Sequence, residues 1–95
     1  MSFEEFMAAA TPPAEVSPAL QAIWHDAHGD WDKAHTCSQE DEGSAGSWVH
    51  AYLHRKEGDL ANARYWYTRA GRTPPAKAVS LDAEREAIAR ELLKA

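Results

Sequence analysis

A stretch of thirteen residues occurs twice in this chain, and no other feature restricts its fold as much. Residues 22–34, Ala-Ile-Trp-His-Asp-Ala-His-Gly-Asp-Trp-Asp-Lys-Ala, align without a gap on residues 51–63, Ala-Tyr-Leu-His-Arg-Lys-Glu-Gly-Asp-Leu-Ala-Asn-Ala, at an offset of 29. Ala22/Ala51, His25/His54, Gly29/Gly58, Asp30/Asp59 and Ala34/Ala63 are identical, and Trp31/Leu60 keep apolar character. Each identity has a physical role. Glycine supplies the left-handed residue that ends one helix, aspartate caps the next at once, and the alanines let the two helices approach. The unit is a tight αα-hairpin used twice.

The flanking punctuation extends this into an all-α chain. Ser2 with Glu5 forms a capping-box signal for a helix over residues 3–10, stopped by Thr11-Pro12-Pro13. Ser17-Pro18 opens a second over 18–28, and Asp30 caps a third to about residue 40. A fourth over 45–57 ends at Gly58, Asp59 caps a fifth over 60–70, and Ser80 caps a last one to Lys94. No segment shows the two-residue alternation of a half-buried strand. The expected organisation is one domain: an N-terminal segment over 1–13, hairpins over 16–42 and 45–75, and a capping helix over 80–95.

Ninety-five residues leave no room for a second domain or a large enclosed cofactor cavity. No cofactor is expected. The single Cys37 closes no intrachain disulfide and has no CxxC partner, which points to a reducing, cytoplasmic setting. The N-terminus lacks a secretion-signal pattern, and no run is long and apolar enough to span a membrane. The net charge of −5 conceals opposite halves: nine acids against Lys33 up to residue 47, then nine bases against six acids. A weakly basic half tied to an acidic one is a poor counterion-releasing surface, so neither nucleic acid nor membrane is an expected partner. The opposed halves also permit self-association into a homo-oligomer.

The hairpins resemble the tetratricopeptide repeat. Ala51, Gly58-Asp59-Leu60, Ala63, Tyr67, Ala70 and Pro75 match that pattern in the second copy, and Ala22, Gly29-Asp30-Trp31 and Ala34 match it in the first. The first copy has Ser38 at the aromatic position, and the offset of 29 is shorter than the family's repeat of about 34. The strings Leu-His-Arg-Lys-Glu-Gly-Asp and Tyr-Trp-Tyr-Thr-Arg-Ala-Gly also resemble a group of small bacterial proteins, a likeness that implies no activity. The tetratricopeptide resemblance implies a protein-interaction module whose first helices line a groove. It selects Ile23 and Asp26 from the first copy and Trp48, Tyr52, Arg55 and Lys56 from the second. Two aromatics beside two bases suit a peptide or subunit bearing an acidic group or a C-terminal carboxylate. The C-terminal helix would cover the open end of the stack with Leu81, Ile88 and Leu92.

Two other clusters carry chemical potential. Tyr65-Trp66-Tyr67 cannot all enter one core from a helix, since successive side chains point about 100° apart, so Trp66 is a candidate partner anchor unless the last helix covers it. Five histidines are present. His50 and His54 share a helix face, and His25 sits at the matching position of the first copy, so the three are candidate metal or small-ligand residues, with catalysis an open extension. Hydrogen bonding across each hairpin at matched packing positions explains His25 and His54 without a ligand, and is the preferred reading of that pair. No phosphate loop, GxSxG or kinase string occurs, and Cys37 with His35 two positions away forms no local dyad. No catalytic residue is assigned.

Overall fold

A computed structural model describes residues 1–94. Six helices follow in order: α1 (Phe3–Ala8), α2 (Pro18–Ala27), α3 (Trp31–Glu40), α4 (Ser44–Glu57), α5 (Leu60–Ala70) and α6 (Leu81–Lys94), with no strand among the described residues. The chain is all-α. Ala95, the last residue of the expected capping segment, lies outside the described residues.

The expected caps form. Ser2 and Glu5 complete the capping box of α1, which stops two residues earlier than anticipated. Ser17 Oγ accepts from the Leu20 amide with Pro18 at the first helical position. Asp30 accepts from Lys33 N at 3.0 Å and Asp59 from Asn62 N at 3.2 Å. Ser80 Oγ accepts from Ala83 N at 3.0 Å. The two hairpin turns close on equivalent backbone bonds: Asp30 N donates to His25 O at 2.9 Å, and Asp59 N donates to His54 O at 3.0 Å. Gly29 and Gly58 stand at φ +86° and +89°, where a side chain would be strained.

Packing follows the same register. Ala22, Ala51 and Ala34 are fully buried and Ala63 nearly so, which lets α2 close on α3 and α4 on α5. The main core joins Phe6, Leu20, Ile23, Val49, Tyr52, Leu53 and Ile88, and a smaller cluster joins Ala51, Ala63 and Tyr67, with half-buried Trp48 touching both. Helices α3 and α5 flank α4 without packing on each other, leaving a cleft floored by α4. Trp31 secures one wall by donating from Nε1 to Leu53 O at 3.0 Å. Helix α6 packs on α1, α2 and α4. It therefore lies across the first helices of both hairpins, with Ile88 and Ala89 fully buried and Leu81 and Leu92 only partly.

The joint between the hairpins is tight. Asp41 accepts from Ala19 N at 3.3 Å through Oδ2 and from Gly43 N at 3.1 Å through Oδ1, so one carboxylate ties the start of α2 to the start of α4. A Cβ at Gly46 would sit 1.9 Å from Asp41 O, a distance only glycine avoids.

Candidate functional site

The face selected by the repeat register is occupied by the chain's own α6. Asp26, 2% exposed, accepts from Tyr52 Oη at 2.5 Å and from Lys56 Nζ at 2.7 Å, with an Arg85 guanidinium nitrogen 3.5 Å away. Glu84, 6% exposed, accepts from Arg55 at 2.8 Å and from the Tyr67 hydroxyl, while the other Arg55 amino group donates to Val79 O. Each buried carboxylate thus holds one arginine and one tyrosine. Burial first, then the adjacent carboxylate, pushes both phenols well above the ordinary tyrosine range.

The sequence-derived groove residues therefore have other partners. Tyr52 and Ile23 are fully buried, and Arg55 and Lys56 are engaged with Glu84 and Asp26. Trp48 is half-buried beneath Arg72, whose guanidinium lies 3.8 Å from its ring centroid. Trp66 is also half-buried, and its cover is not α6: it stacks on His50 at 4.0 Å, and the Arg69 guanidinium lies 5.4 Å from its ring centroid.

One part of this basic edge stays open. A cleft of about 240 Å³ runs along α5 and is lined by Leu60, Arg64, Pro74, Pro75 and Lys77, with Arg55 and Tyr67 at its base. Leu60 is 53% exposed. Arg64 and Lys77 form no ion pair among the described residues.

The second constellation lies in the α3/α5 cleft. His50 and His54 of α4 meet there as expected from their spacing, but their third companion is His35 of α3. His35 Nε2 and His50 Nε2 are 2.9 Å apart, and one ring nitrogen from each of the three lies within 4.8 Å of the others. His25 stays with its own helix, edge-on to Trp24, and is not part of this group. His28 stacks on Trp24 and bonds to Trp24 O through Nδ1 at 2.8 Å. The cluster is walled by aromatics, Trp31 stacking on His35 and Trp66 on His50. Burial, reinforced by the neighbouring imidazoles, drives the His50 pKa down to about 4, and burial lowers His35 and His25 as well. His54 Nδ1 meets Glu57 Oε1 at 2.5 Å. An ionised carboxylate only accepts, so Nδ1 carries the proton there.

Sequence spacing missed His35 because its counterpart at an offset of 29 is Arg64. The available signal was topological: in stacked hairpins the second helix of one unit packs on the first helix of the next. Cys37 is half-buried, and burial pushes its thiol up, which suits an inert side chain better than a nucleophile. No described helix is long and apolar enough to cross a membrane. The chain matches no family model, and neither the curated proteins nor the solved structures give a significant match.

Proposed function

We propose that this chain is a small tetratricopeptide-like interaction module of the cytoplasm that captures a short acidic and apolar segment of a protein partner along α5. The observation that carries this reading is the open cleft beside Arg55, where exposed Leu60 and two prolines supply apolar lining beside Arg64 and Lys77, cations without an ion pair among the described residues. An apolar side chain entering the cleft removes Leu60 from water, and flanking carboxylates reach the two cations without disturbing any existing ion pair. The groove that the repeat resemblance implies is filled by α6, so this neighbouring cleft takes over the capture of an acidic ligand. Partner charge complementarity sets specificity and encounter rate more than total affinity.

Selection from a displayed peptide library tests the reading. Enriched peptides are expected to carry Asp or Glu beside Leu, Ile or Phe, and to bind R64A/K77A about tenfold more weakly than the parent chain, roughly 0.7 kcal/mol per charge-assisted contact. Absence of enrichment, or equal binding by the double variant, overturns it. Mass in solution at low and high salt distinguishes a second copy of the chain as the occupant.

A further inference from the structure

We propose that His35, His50 and His54 form a binding site for one divalent transition-metal ion of the zinc class, with Glu57 orienting His54 from outside the ligand set. Three imidazoles supply borderline nitrogen donors of the type that Zn²⁺ accepts, and three protein nitrogens leave a fourth position for water. The geometry is close to what the ion needs. Zn–N bonds of about 2.0–2.1 Å in a tetrahedron separate the nitrogens by about 3.3 Å. The observed separation is 2.9 Å between His35 and His50, with a nitrogen of His54 within 4.8 Å of both, so side-chain adjustments of at most about 1.5 Å bring the three to that spacing.

Proton placement supports the same assignment. His54 donates from Nδ1 to Glu57, which leaves the lone pair of a neutral ring on Nε2. A carboxylate bonded to the distal nitrogen of a ligating histidine is the usual outer partner of a zinc imidazole, where it fixes the tautomer and raises basicity. Of His35 and His50, one now donates to the other. When the ion replaces that shared hydrogen bond, the donating ring shifts to its Nδ1–H tautomer and no proton need leave the protein. Aromatic stacking holds two of the rings in place, with Trp31 on His35 at 4.8 Å and Trp66 on His50 at 4.0 Å. His50 also lines the cleft of about 440 Å³ shared with Ser47, Trp66 and Arg69, so a water on the fourth position is reachable from solvent.

The site is tested by titrating the full chain with Zn²⁺ alone, followed by calorimetry and by thermal melting, with Co²⁺ as a spectroscopic stand-in. The expected result is one ion per chain, a higher Tm with metal, and the visible absorption of four-coordinate Co²⁺. His35 is only half-buried, so H35Q retains its helicity while losing both the Tm rise and the Co²⁺ spectrum. E57Q keeps the spectrum but binds about 10–100-fold more weakly, an effect that a purely structural role would not produce. H25A binds as the parent chain does. Zn²⁺ binding that is absent, or unchanged in folded H35Q, overturns the assignment.

Discussion

Asp26 and Arg55 occupy the same position in the two copies of the repeat, 29 residues apart, yet carry opposite charge, and each faces its opposite on adjacent residues of α6. Arg85 approaches Asp26, and Glu84 bonds Arg55. Two nearly equivalent hairpins would otherwise offer α6 two similar seats. The inverted pair makes them distinguishable.

Exchanging the order of the two α6 residues, E84R/R85E, preserves composition and net charge while setting like charges against Arg55 and Asp26. Asp26 keeps Lys56 and Tyr52, so the main cost is the lost Arg55–Glu84 pair, about 3–5 kcal/mol for a buried charge left without its partner. Urea denaturation is expected to show a loss of about that size, and a stability within about 1 kcal/mol of the parent would contradict the pairing described.

The tyrosines give a smaller effect. Y52F and Y67F each remove a hydroxyl that donates to a buried carboxylate. A loss of about 1.5–3 kcal/mol is expected in each case by chemical denaturation, with the helical signal of the folded state unchanged.

The buried imidazoles make the metal-free domain sensitive to mild acid. His50 titrates near about 4 in the folded chain against about 6.5 when unfolded, because burial beside His35 and His54 penalises its cation. Below pH of about 6.5 the unfolded state takes up a proton that the folded state refuses, so stability is full above that value and declines as pH falls toward about 4. Thermal melts between pH about 7 and 5.5, above most carboxylate titration, should show a falling Tm. H50L should flatten that slope.

Gly46 tests the joint between hairpins. Its missing side chain admits Asp41 O, and G46A would push the loop outward and loosen the Asp41 contact to Ala19 N. A loss of about 1–3 kcal/mol is expected from the overpacking, with faster hydrogen exchange of the amides at the start of α2.

Much of this fold was legible because its signals are local. Ser2, Ser17, Asp30, Asp59 and Ser80 cap helices at or within a residue or two of the expected starts, since a cap depends only on the next three residues. The meeting of His50 with His54 was legible from helical spacing. The position of α6 was not, because hydrophobic residues at Leu81, Ile88 and Leu92 say that a helix has an apolar face without saying which surface receives it. Asp26 and Arg55 stood out as charged residues of one face, but a chain read residue by residue does not reveal that Arg85 and Glu84 fill their needs. His35 was invisible to repeat alignment for a related reason: contacts between successive hairpins are not encoded by the identities within each one.

The Asp41 anchor also has a mechanical meaning. With one carboxylate spanning two helix starts and a carbonyl seated against Gly46, the junction between the hairpins is fastened from both sides of the α3–α4 loop. The gap between α3 and α5 is set by how each of them packs on α4, since the two do not pack on each other. An ion entering it would have to break the His35–His50 hydrogen bond and draw the imidazoles together, but the helices that carry them already stand on either side, so the ordering cost falls on side chains and not on the backbone.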